Sequence, residues 1–173
     1  MLNIPERFEQ ELADSLPEGK KVLLMGVGGG FDILSCLPLY YTLRMRECEM
    51  ELANYSLVDF GMFPSLSVPT MMNNDIYGAI GKVNGAIEHY PEGHLSEWFK
   101  QGYNEDVPIW MFRQQSVPHL VKNLKLFIER MNIGAIILCG AGARSIMTGE
   151  EEGCGEMLYS SVVLSAIRQI DVK

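Results

Sequence analysis

The chain has 173 residues, of which 47% are hydrophobic, 21% charged and 9% aromatic; this is globular composition and excludes disorder and fibrous repeats. A net charge of −8 and a pI near 4.9 argue against a general nucleic-acid or anionic-membrane binder. No apolar run approaches the ~18 residues of a membrane span, and Met1 to Glu11 alternates charged with apolar residues, unlike a secretory signal. The expectation is a single cytoplasmic domain over residues 1–173, with oligomeric state open and a homo-oligomer allowed.

In chain order, Ile4, Phe8 and Leu12 stand at helical spacing and Pro17 ends that segment. Lys20 to Met25 reads as a buried strand and runs into Gly26-Val27-Gly28-Gly29-Gly30-Phe31-Asp32. A helix is expected next through Ile33, Leu34, Leu37, Tyr40 and Tyr41, capped by Asp32 and bent at Pro38. Met50 to Ser56 is the second strand. Asp59 to Gly85, punctuated by Pro64, Pro69 and four glycines, reads as irregular, and so long a loop is uncommon in a compact domain. Its methionines and aromatics, Met62 to Tyr77, read as core filling or as a lid or partner surface.

Glu92 to Gln101 is helical, and Val107 to Phe112 is the third strand. Ser116 caps a helix with Pro118 in its first turn and a stripe from Val117 to Met131, leaving through Asn132-Ile133-Gly134. Ala135 to Cys139 is a fourth strand running into Gly140-Ala141-Gly142, and a last amphipathic helix spans Glu156 to Ile170.

Strands alternating with helices predict a Rossmann-like three-layer α/β domain with a mostly parallel sheet. In a strand order of 3-2-1-4, strands one and four are neighbours, and ligands bind where the order reverses. The two glycine loops, Gly26/Gly28 and Gly140/Gly142, would then open onto one crevice.

Several residues there carry candidate chemistry. Gly26, Gly28, Gly29 and Gly30 could bring bare N–H groups and a helix N-terminus against a phosphate, glycine being the residue that clears the approach path. The pattern lacks the third glycine of a dinucleotide fingerprint, because Phe31 stands there, and no Gly-Lys-Ser/Thr makes it a Walker loop. Asp32 reads as a helix cap or, alternatively, as a magnesium or ribose-hydroxyl ligand. Glu150-Glu151-Glu152 reads as a solvated charge run or as a carboxylate source, Glu151 being the nominated metal ligand. Arg144, the cation of the second loop, could balance a phosphate with Gly140 and Gly142. His89, His94 and His119 lack metal-ligand spacing. Cys36, Cys48, Cys139 and Cys154 form no C-x-x-C pair and read as reduced structural thiols.

With both loops on the page, the chain resembles a family of uncharacterised α/β proteins. Those carry an early G-x-G-G-G-x-D and a later D-G-G-T-D…G-[DE]-E-x-G-x-G. Gly26 to Asp32 resembles the first, and Gly149-Glu150-Glu151-Glu152-Gly153-Cys154-Gly155 the end of the second. Tyr90, Pro91, Glu92, Leu95, Ser96, Glu97 and Trp98 also look similar. Where members have the aspartates of D-G-G-T-D, this chain has Gly140 and Arg144. Members also typically continue past the final helix. The intact early loop favours a small-ligand domain that binds a phosphorylated or nucleotide-like molecule, with magnesium as the candidate cofactor. The departures imply the alternative, a non-catalytic assembly or partner-binding relative that has lost part of an acidic site.

Overall fold

The computed structural model describes residues 6–28, 30–61, 70–80, 89–140 and 157–172. Helix α1 (Glu6–Ser15) leads through Pro17 into β1 (Lys21–Gly26), followed by α2 (Asp32–Ser35) and α3 (Leu37–Arg44). Then come β2 (Met50–Tyr55), β3 (Thr70–Asn73), β4 (Ile76–Ala79), α4 (Pro91–Tyr103), β5 (Ile109–Phe112), α5 (Val117–Met131), β6 (Ile133–Cys139) and α6 (Met157–Ile167).

The six strands form one sheet in the order β3-β4-β5-β2-β1-β6. The four strands read from sequence, β1, β2, β5 and β6, are mutually parallel in the expected 3-2-1-4 order. They are mostly apolar, with Glu51 and Asn54 of β2 the buried polar exceptions, because both of their faces are covered. Leu23, Met25, Ala53, Tyr55, Trp110 and Phe112 pack with Leu124 and Phe127 of α5 and Val163 and Ala166 of α6. The alternate positions Val22, Leu24, Leu52, Ile109 and Met111 pack with Ile33, Tyr40, Leu43, Leu95 and Phe99 of α2, α3 and α4. A period of two therefore divides the core into two apolar layers, one on each side of the sheet.

Local expectations are corrected at four places. Within the stretch taken as irregular, β3 and β4 make an antiparallel hairpin that extends the sheet beyond β5. The Asn73 side chain accepts from the Asp75 N–H at 2.8 Å across its turn, the local bond that suits asparagine to turns. The helix expected to bend at Pro38 is instead two helices separated at Cys36. Proline lacks the N–H that would bond the Leu34 carbonyl, and Pro38 sits in the first turn of α3, where that loss is harmless. Last, Asn132 (φ 55°) alone ends α5, and Ile133 and Gly134 already belong to β6. Ser116 stands at the start of α5, but its hydroxyl meets His119 Nδ1 at 2.9 Å rather than a backbone N–H.

Candidate functional site

The C-terminal ends of β1 and β6 lie side by side: Gly26 is in register with Cys139, and Val27 N–H donates to the Cys139 carbonyl at 3.1 Å. The chain leaves β1 toward the α2–α3 layer, whereas α6, which follows β6, packs on the opposite layer. In open α/β sheets a divergence of this kind is where ligands bind.

The first glycine loop leaves the end of β1. Gly26 must be glycine because a Cβ would stand 2.5 Å from Asn54 Oδ1 and 2.7 Å from the Ile33 nitrogen. Gly28 donates its N–H to Asp32 Oδ2. Gly30 adopts a φ of +61°, the left-handed region that favours glycine. Asp32 is buried and is the first helical residue of α2, with Phe31 in the cap position. The cap expected of Asp32 is thus corrected: its carboxylate reaches back to the loop and closes it. The α2 helix is a single turn, so it offers little macrodipole to an anion.

Behind the loop sits a polar cluster that sequence reasoning did not nominate as a site. Asn54, at the C-terminal end of β2, donates Nδ2–H to the Gly30 carbonyl at 2.9 Å and to Glu92 Oε1 at 2.8 Å. Glu92, in the first turn of α4, is fully buried. Burial raises its pKa above the ordinary 4.5, opposed by hydrogen bonds from its own backbone, Asn54 and Ser56. Among the described residues, Asn54 Oδ1 and Glu92 Oε2 are buried without a hydrogen-bond partner. One sequence signal could have found Asn54: it is a polar residue inside an apolar strand, at the strand end beside a glycine loop. Nothing comparable marks Glu92, which reads as an ordinary acidic residue in a helical first turn.

At the mouth, Phe31 is 56% exposed, and its ring meets His89 edge-on with centroids 5.6 Å apart. Gly140 is exposed immediately after β6. Cys139, the last residue of β6, is half-buried, and Cys36, at the α2–α3 junction, directs its thiol to the Asp32 carbonyl at 4.0 Å.

The structure therefore brings together Gly26, Gly28, Gly30, Asp32 and the approach to Gly140 at one end of the sheet. Gly29, Gly142, Arg144 and Glu151, with its neighbours in the acidic run, lie outside the described residues. Among the described residues no group of three His, Cys, Asp or Glu side chains is placed to hold a metal ion, and no helix is long and apolar enough to cross a membrane. Comparisons with protein-family models, with curated proteins and with solved structures find no match to this chain.

Proposed function

We propose that the chain is a Rossmann-like three-layer α/β domain that binds a small phosphorylated or nucleotide-like ligand in the crevice between the β1 and β6 strand ends. The observation that carries this reading is the adjacency of those ends, with Gly26 opposite Cys139 and the following helices on opposite layers. Gly28 N–H is already given to Asp32, so phosphate recognition falls to the N–H groups from Gly29 onward, with Arg144 supplying a charge-assisted bond. The exposed ring of Phe31 is a surface on which a base or another flat group stacks. Asp32 and Glu151 are the proposed carboxylates toward a magnesium ion bridging to the ligand, an arrangement that offsets the acidic surroundings.

The test is titration calorimetry with nucleoside phosphates and sugar phosphates, with and without magnesium. Binding of at least one compound, strengthened by magnesium and weakened about tenfold or more by Arg144→Ala, is expected, since a charged hydrogen bond contributes about 1.5–3 kcal/mol. Asp32→Asn should remove the magnesium dependence. Silence across the whole panel sinks the reading in favour of an assembly or partner-binding role.

A further inference from the structure

Asn54 is fully buried in an apolar sheet, and its amide has one orientation. It stands in register with Gly26 across the β1–β2 ladder. Its Nδ2 donates one hydrogen to the Gly30 carbonyl at 2.9 Å and one to Glu92 Oε1 at 2.8 Å. A flipped amide would set Oδ1 against two acceptors, so Gly30 and Glu92 together fix the orientation. Oδ1 itself has no hydrogen-bond partner among the described residues, and it is the atom that a Cβ on Gly26 would meet at 2.5 Å. The side chain is therefore held for its two donors, and Gly26 leaves it room.

Two bonds pin the described part of the glycine loop. The Gly28 N–H donates to Asp32 Oδ2, and the Gly30 carbonyl accepts from Asn54. The described peptide bonds are trans, and in a trans peptide the N–H points opposite to the C=O. With the Gly30 carbonyl turned in to Asn54, the Phe31 N–H of the same peptide is turned away from it. Among the described residues that N–H makes no hydrogen bond.

We propose that Asn54 is the positioning residue of the glycine loop, holding the Gly30–Phe31 peptide so that its N–H faces an anionic ligand, and that Glu92 holds Asn54 in the donating orientation. The proposal rests on the reading of this loop as a phosphate site and names the peptide that recognises the phosphate. The group presented is a loop N–H, and no dipole from the single-turn α2 is needed. Asn54 and Glu92 lie behind the loop, both fully buried. Their contribution is preorganisation, because a peptide already fixed in the binding orientation loses less freedom when the ligand arrives.

Shape and positioning can be separated. Asn54→Leu combined with Glu92→Met replaces both polar groups by apolar ones of similar size, which is near neutral for the core because neither is left facing a lost partner. The Gly30 carbonyl, freed of its donor, should turn to water and take the Phe31 N–H with it. Glu92→Gln keeps the acceptor for Asn54 and should leave the loop pinned.

The test compares wild type, the double variant and Glu92→Gln, with folding checked by circular dichroism and thermal melts. Hydrogen exchange at the Gly28 amide, read by NMR, should speed up about tenfold or more in the double variant and stay within about threefold in Glu92→Gln. ATP and ribose 5-phosphate, each with magnesium, serve as ligand probes in calorimetry. The double variant should bind whichever of them wild type binds about tenfold or more weakly, and Glu92→Gln should bind as wild type does. Unchanged Gly28 exchange, or unchanged probe affinity, in a folded double variant would overturn the proposal. Wild type that binds neither probe sinks the phosphate reading instead, and the exchange result alone then decides whether Asn54 holds the loop. Should the double variant not fold, Asn54→Ala, which removes the donors alone, takes its place in both measurements.

Discussion

Glu92 is a carboxyl whose ionisation burial opposes. It is fully buried and bonded to Asn54 through one oxygen, and its other oxygen has no hydrogen-bond partner among the described residues. Ionisation there places a charge in a low-dielectric interior, and burial raises the pKa above the ordinary 4.5. The sign follows from linkage. Between the unfolded pKa and the raised folded one, the native state binds more protons, so stability falls as pH rises through that window. Glu92→Gln keeps the shape and removes the titration. Its melting temperature relative to wild type should therefore climb as pH is raised above about 4.5, as thermal melts across pH would register. A difference that stays flat with pH would mean that Glu92 is ionised in the native protein at no cost. At this scale legibility was partial. The glycines of the loop announced a close backbone approach, whereas the direction of the Asp32 carboxylate was hidden. A capping aspartate and one that reaches back to a loop N–H look identical in sequence, and the local backbone decides between them.

Among the elements, β1, β2 and β5 are stitched by side chains as well as by their ladder. Glu51 of β2 accepts from Lys21 of β1 at 2.7 Å and from the Trp110 indole N–H of β5 at 2.9 Å. Glu51 is buried and Lys21 half-buried, so the carboxylate is held by both neighbours. Glu51→Ala leaves the buried indole N–H unpaired and should cost about 2–4 kcal/mol in urea unfolding. Lys21→Met leaves the indole bond in place and should cost less than the alanine variant. Equal losses would assign the effect to the ion pair alone. The same strands explain what the sequence allowed to be read. Runs such as Val22 to Met25 and Ile109 to Phe112 are apolar because both faces are buried, a pattern that survives without knowledge of the neighbours. The β3–β4 hairpin has no such mark: Thr70–Asn73 and Ile76–Ala79 are four residues each, with glycine and asparagine in or beside them. Only pairing with β5 makes strands of them. The break at Cys36 was hidden for a related reason, since proline is tolerated both inside a first turn and at a kink.

For the whole molecule, the consequence of a sheet with apolar packing on both sides is that the stability of the two layers should add. Phe99 in one layer packs against the rings of Tyr40, Tyr41, Trp98 and Tyr103, and Phe127 in the other against Trp110 and Phe112. Both phenylalanines are fully buried and, among the described residues, share no ring partner. Phe99→Leu and Phe127→Leu should each cost about 1–2 kcal/mol, and the double variant should equal their sum within about 0.5 kcal/mol. Denaturant unfolding of the four proteins measures this. A shortfall or excess beyond that margin would reveal coupling transmitted through the sheet. The parallel order was legible at this scale because four buried strands joined by helices admit few connections. The content of the crevice was not, because half of its nominated residues depend on how two loops distant in sequence come to face each other.

That distance has a consequence for how the protein is made. Gly26 and Cys139 are partners in the sheet although one belongs to the first strand and the other to the last. Pairings that close such long stretches of chain are slow to form, because the entropy of closure is lost before any contact offsets it. During synthesis β1 and its glycine loop remain without their β6 neighbour until all the intervening strands and helices have been made. The apolar edge of β1 is exposed for that interval, which leaves the nascent chain open to misassembly until β6 pairs with it.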